Sequence, residues 1–406
     1  MPSTLPDGDP APPDGALPGD VRAQVGRTPF SVYVHVPYCA TRCGYCDFNT
    51  YTAAELGGGA SQASYARDAI AEIALARRVL GDGELPVQTV FFGGGTPTLL
   101  PVGDLSSMLA AIDDAFGLAV HAEVTIEANP ESVDAQALIA LRAAGFTRIS
   151  FGMQSAQPHV LAVLDRQHTP GAPTQRVAEA KAAGFDHVSL DLIYGTPGES
   201  DDDWRASLAA AVAAAPDHIS AYSLIVEDGT RLAARIGRGE LPRPDDDVLA
   251  DRYVIADEAL SGAGYTWYEV SNWAKPGGEC QHNLAYWRSA DWWGIGPGAH
   301  SHVGGVRWWN VKHPTAYAQR IADHVSPGAA REYLDPQMQR VEQVLLLLRL
   351  SDGLPLDVLD EAGRRAAAAE VVAGLLDVSA FAAGAAVLTL SGRLVADGIV
   401  RRLLPE

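Results

Sequence analysis

The sequence predicts an α/β protein built on a partial barrel of six strand–helix units, followed by a smaller helical domain that resembles a winged helix. Three observations predict it. Short β-like runs alternate with longer Ala- and Leu-rich helical stretches from Thr28 onward. Polar groups fall at the ends of successive runs, where a barrel collects its chemistry. Past about residue 231 the alternation gives way to a Trp-rich stretch and then to Leu-rich helical periodicity.

In chain order, the first 26 residues hold six Pro, four Gly and four Asp with almost nothing apolar to bury. Residues 1–27 therefore read as a disordered tail. They lack the basic and apolar regions of a signal peptide. The barrel is expected over 28–230. Its strands are FSVYVHV (30–36), VQTVFFGG (87–94), EVTIEAN (123–129), TRISFGMQS (147–155), HVSLDLIYG (187–195) and HISAYSLIV (218–226). Between the first two lies SYARDAIAEIALARRVL, in which Ala66, Ala69, Ile70, Ile73 and Ala76 share one helical face. An extension over 231–334 contains seven of the 8 Trp, between residues 265 and 310. The C-terminal domain, 335–406, ends in AVLTLSGRLVADGIVRRLL, which reads as a strand, a turn and a final helix.

The formal net charge of -20 over 406 residues argues against a nucleic-acid surface. No apolar run is long enough to span a membrane. Three of the 4 cysteines sit within eight positions, in YCATRCGYCDFN, which is no secreted disulfide framework. The expected location is the cytoplasm.

Cys39, Cys43 and Cys46 form one C-x3-C-x2-C loop, and Cys280 is far away. Thiolates select zinc or iron–sulfur clusters. Structural zinc wants four ligands, usually in two separated pairs, and His35 is the one nearby residue that completes such a set. Three close thiolates better suit one face of a 4Fe–4S cube, leaving one iron open; zinc is the alternative. Around this loop, GGGTP (93–97) ends the second strand, Glu127 the third and Gln154 the fourth, while Asp191 lies late in the fifth. Each has an ordinary explanation, such as a turn or a helix cap. Their convergence on one rim favours a site.

The loop, with Tyr45 inside it, resembles the signature of the radical S-adenosylmethionine superfamily. That resemblance implies a 4Fe–4S cluster on Cys39, Cys43 and Cys46, with S-adenosylmethionine on the open iron and reductive cleavage to a deoxyadenosyl radical. YVHVPYCATRCGYCDF, FFGGGTPTLL, IEANPES, ISFGMQS, LDRQH, DLIYGTPGES and GIGPGAHS resemble the HemN/HemW family over nearly all of 30–400. By that resemblance Tyr33, Tyr45, Gly94, Gly95, Thr96, Glu127, Gln154, Arg166 and Asp191 would bind S-adenosylmethionine. Their chemistry suits it: Arg166 can pair a carboxylate, Glu127 can accept from an ammonium, and Gln154 and Asp191 can hold ribose hydroxyls.

Within the family, HemN-type enzymes carry a further Cys two positions after the third; here that position is Phe48. HNLAYW (282–287) resembles the H-N-x-x-Y-W motif of HemW-type haem chaperones. His282 is the candidate axial haem ligand, set against the ordinary reading of a packed, hydrogen-bonded histidine. Cys280, His300 and His302 are weaker candidates, and His35 reads as a core residue. The resemblance thus implies a haem chaperone that passes haem to acceptor haemoproteins, respiratory ones among them, with an unidentified electron donor. The alternative is an oxygen-independent coproporphyrinogen III dehydrogenase, which converts two propionates to vinyls.

Overall fold

In FSVYVHV, Val32, Val34 and Val36 alternate with Tyr33 and His35, so one face can meet helices while the other lines an interior. The computed structural model, which describes residues 7–56, 62–166, 169 and 171–404, makes this run a strand with all three valines buried. In chain order the main-sheet strands are β1 Asp9–Pro10, β2 Phe30–Val36, β3 Val87–Gly94, β4 Leu118–Ala128, β5 Arg148–Gln154, β6 His187–Tyr194 and β7 His218–Ser223. There follow β8 Thr266–Glu269, β9 Asn272–Ala274, β10 Asp291–Ile295, β11 His300–Val303, β12 Val306–Asn310 and β13 Gly328–Tyr333.

All thirteen form one sheet in the order β1-β13-β12-β11-β10-β2-β3-β4-β5-β6-β7-β9-β8. Strands β2 to β7 run parallel in sequence order, as the six expected units require, and β2 and β3 have the expected bounds. Five helices cross over between them: Gln62–Leu80, Val102–Phe116, Ala135–Ala143, Ala172–Ala182 and Asp201–Ala213. The last begins with a reciprocal cap between Ser200 and Asp203, spelled out by ESDDDW. The sequence reading missed a seventh parallel strand. β10, from the Trp-rich stretch, pairs with β2 from Asp291↔Phe30 to Ile295↔Val34, and β11 to β13 continue antiparallel beyond it.

The tail expectation needs correction. Asp9 and Pro10 pair antiparallel with Arg331 and Ala330 of β13, Ser326 N–H donates to Pro13 O at 2.7 Å, and Leu17 and Val21 are buried. A proline-rich segment is already extended, so it lies along a sheet edge with little ordering left to do. Residues 1–6 of the expected tail, and Gln167 and His168 of LDRQH, fall outside the described residues.

Near the C-terminus Val344, Leu348, Leu354, Leu359, Ala367, Leu376, Ala386, Leu388, Ile399, Val400 and Leu403 form a core of their own. The expected strand–turn–helix ending is also corrected. Only Ala385–Ala386 is strand; Thr389 caps a short helix, Leu390–Leu394, before the final helix Ala396–Leu403. The Thr389 hydroxyl accepts from Gly392 N–H and turns the chain out of extended geometry. Arg393 joins this unit to the sheet: it donates to both oxygens of Asp257 (2.8 and 3.2 Å) and lies over the Trp267 ring. Among the described residues no helix is long and apolar enough to cross a membrane.

Candidate cluster and nucleotide site

The loop after β2 carries the three cysteines, each partly exposed. It is fixed from outside itself. Asn49 donates to Pro297 O and Lys312 O (both 2.9 Å), and Asn49 O accepts from His35 Nε2 at 2.9 Å. Cys39 N–H donates to Tyr51 O (3.0 Å), and Gly44 N–H to Leu164 O (3.0 Å). Because a carbonyl only accepts, the His35 proton is on Nε2, and Nδ1 accepts from Tyr33 Oη at 3.0 Å. Burial holds the His35 pKa down to about 4, so it is a neutral strut, as the sequence reading has it.

Burial also raises the Cys39 thiol to about 11 and pushes Cys46 upward. A metal must therefore displace protons as it binds. Among the described residues no three His, Cys, Asp or Glu side chains converge on a single-ion site. A tetrahedral zinc needs four ligands about one ion; three thiolates spread along one loop, each for its own iron, fit a cluster. Cys280 does not join them: it is buried and donates its thiol to Glu123 at 3.5 Å.

Beside the loop the strand ends open on a cavity of ≈ 830 Å³. Every residue carried over by resemblance lines it: Tyr33, Tyr45, Gly94, Gly95, Thr96, Glu127, Gln154, Arg166 and Asp191, together with Cys39, Cys43, Cys46 and His282. Glycine is required where the backbone nears the loop. Gly94 has φ +109, and a Cβ on Gly95 would stand 2.4 Å from Tyr38 O. Glu127 accepts from Gly94 N–H at 3.0 Å; burial, with Asp191 nearby, raises its carboxyl to about 7. Asp191 is also raised by burial, though Ser150 (2.9 Å) and Ser220 (2.8 Å) donate to its oxygens. Gln154 sits at φ 63, where the pairing with β6 shifts register. Left-handed geometry in a non-glycine residue is strain held by its surroundings. Arg166 donates to Gly152 O (3.0 Å) and approaches Cys43 Sγ (3.5 Å); its buried Nε has no partner among the described residues. A raised carboxylate, a poised carboxylate and an orphaned guanidinium nitrogen beside three thiols fit S-adenosylmethionine, whose methionine end is a zwitterion and whose ribose offers hydroxyls.

His282 lies in the helix Gln281–Trp287, packed on β3 and buried. Thr89 Oγ1 donates to Ser31 Oγ (2.8 Å) and so accepts from His282 Nδ1–H (2.7 Å), which leaves Nε2 to accept from Tyr286 Oη (2.9 Å). Both ring nitrogens are engaged, and burial lowers the pKa to about 3. In this conformation His282 is the packed, hydrogen-bonded residue and has no lone pair free for iron. At the mouth, Phe48 and Tyr222 are each 45% exposed and Ile225 64%, an apolar rim on an otherwise acidic molecule.

Sequence reasoning missed a deeper polar layer. Two residues before Glu127, Ser150, Asp191 and Ser220 come Thr125, Arg148, Ser189 and His218, on the same strand faces and lining the same cavity. The signal was present in the strands themselves, where polar residues recur at every second position through EVTIE, RIS, SLD and HIS.

The profile of the Radical SAM superfamily matches residues 33–211. The chain is 54% identical over 389 residues to the heme chaperone HemW of Mycobacterium tuberculosis, covering 96% of this chain and 97% of that one. It is 36% identical to the heme chaperone HemW of Escherichia coli, over 72% of this chain and 76% of that one. In fold it is similar to coproporphyrinogen III oxidase (HemN) from Escherichia coli, a radical SAM enzyme, with a TM-score of 0.80 at 22% identity over 95% of this chain and 92% of that one. By that identity along nearly the whole of both chains, the chain belongs to the HemW family of radical SAM proteins.

Proposed function

We propose that this protein is a haem chaperone: it binds haem and hands it to acceptor haemoproteins in the cytoplasm. The observation that carries the reading is 54% identity, along nearly the whole length of both chains, to a protein named heme chaperone HemW. Cys39, Cys43 and Cys46 would hold a 4Fe–4S cluster. Tyr33, Tyr45, Gly94, Gly95, Thr96, Glu127, Gln154, Arg166 and Asp191 would hold S-adenosylmethionine. Bound together, the pair supplies one-electron cleavage of a carbon–sulfur bond. The chain's own part is to grip the ammonium with Glu127, the carboxylate with Arg166 and the ribose with Gln154 and Asp191.

Phe48, Tyr222 and Ile225 offer a flat apolar macrocycle a surface at the mouth. His282 would hold haem iron through Nε2 only once the Tyr286 hydroxyl leaves that nitrogen; its proton is already on Nδ1. The units of the chain are taken as 28–230 for the barrel, 231–334 for its extension and 335–406 for the C-terminal domain. The separate C-terminal core supports the last of these.

The test is anaerobic. After cluster reconstitution, the chain is titrated with haem and, in parallel, supplied with coproporphyrinogen III, S-adenosylmethionine and reductant. Expected are about one haem per chain, transfer to an apo-haemoprotein, and no protoporphyrinogen. Robust decarboxylation would replace this reading with the dehydrogenase. Weaker haem binding by His282→Ala supports the axial role, and equal affinity removes it.

A further inference from the structure

Barrel interiors are normally filled by apolar side chains in layers. Here the layer below Glu127 and Asp191 is polar and unsatisfied. Thr125 and Arg148 are directly paired across β4 and β5, and His218 pairs with Ser189 two strands further on. Thr125, Arg148 and His218 are all buried, yet Thr125 Oγ1, Arg148 Nη1 and His218 Nδ1 have no hydrogen-bond partner among the described residues. Buried polar atoms without partners are few in native proteins, and three on one cavity wall need a reason.

The three atoms are of one kind. Tyr268 Oη accepts from Asn283 Nδ2 (3.4 Å), and among the described residues its own proton has an acceptor only in His218 Nε2 (2.9 Å), which puts the His218 proton on Nδ1. Burial and the Arg148 charge hold His218 far below its ordinary pKa, hence neutral. A Thr hydroxyl, a guanidinium N–H and an imidazole N–H are all donors. Glu123 takes no hydrogen bond from them: its Oε1 accepts from His282 N–H (3.0 Å) and the Cys280 thiol, while its Oε2 forms an ion pair with Arg148 at 3.6 Å from Nη1, beyond hydrogen-bond reach.

We infer that Thr125, Arg148 and His218 form a binding site for a ligand carboxylate, seated inside the barrel beneath the S-adenosylmethionine residues. On the haem-chaperone reading, on which this assignment rests, the carboxylate is a haem propionate entering through the mouth at Phe48. A free small carboxylate would use the same donors.

The full chain, purified without oxygen and with its cluster reconstituted, is titrated with haem and with haem dimethyl ester, followed at the Soret band. The wild type is expected to bind the free acid at least about tenfold more tightly than the ester. Thr125→Val and His218→Phe each remove one donor without touching the Arg148–Glu123 pair. Each should reduce that preference about threefold to tenfold while leaving ester affinity unchanged, with melting curves confirming the fold. Equal affinity for acid and ester in the wild type, or an undiminished preference in both variants, overturns the site while leaving haem binding intact. If neither pigment binds, the chaperone reading fails. The site is then judged with millimolar sodium propionate. A rise in melting temperature that His218→Phe lacks keeps it as a small-carboxylate site, and no rise overturns it.

Discussion

At the scale of single residues, Glu127 couples nucleotide binding to pH. Its carboxyl, raised to about 7 by burial and by Asp191, is largely protonated in the empty protein at pH 6. An ammonium binds the ionised form, so below pH 7 each binding event must release a proton. Affinity for S-adenosylmethionine should therefore rise about tenfold between pH 6 and pH 8 and level off above. Calorimetric titration across that range checks this, and Glu127→Gln should bind weakly with no such slope. The residue was legible in IEANPES, as were the cysteines, because strand ends and close thiolates are local patterns. Its protonation was not, because the desolvation comes from a cavity wall built by distant segments. His282 shows the same limit. HNLAYW marks the residue, but only the fold brings Thr89 and Tyr286 to its two nitrogens.

At the scale of elements, the cysteine loop has little regular structure and depends on Asn49 for its shape. One amide donates to two carbonyls from the segments that follow β10 and β12, Pro297 O and Lys312 O. Asn49→Ala would take this donor from Pro297 O and leave Lys312 O with the longer Tyr51 hydroxyl bond (3.4 Å), a loss of about 1–3 kcal/mol. The expected outcome is a lower melting temperature and iron and acid-labile sulfide below the wild-type content per chain, both measured after anaerobic reconstitution. The parallel strands were readable because each carries β-branched and aromatic residues between helical stretches, and β2 and β3 begin and end where expected. β8 to β13 escaped because they are short, and four of them take their tryptophans from one stretch. Their pairing partners lie far along the chain, as when Asp291 meets Phe30. Composition alone does not say which strand a tryptophan run joins.

For the molecule as a whole, two pieces close around the site and a third is attached to them. The barrel supplies the strand ends, the Trp-rich extension supplies the floor with His282 and Tyr268, and the C-terminal core is joined to the sheet through Arg393, Asp257 and Trp267. The fold class followed from the alternation of strand and helix runs along the chain. The N-terminal segment did not, because proline and glycine content reports the absence of a core and cannot report an edge waiting to be covered.

That covering has a consequence for self-association. β13 is the last long strand on its side of the sheet, and residues 9–11 occupy its outer hydrogen bonds. Remove the first 22 residues and a six-residue strand is left bare, a template on which a second copy of the chain can pair. Such a truncated chain should run as dimers and larger species in size-exclusion chromatography at concentrations where the full chain gives one smaller species. A proline placed at Arg331 of the truncated chain, whose backbone N–H faces the uncovered edge, should restore the smaller species.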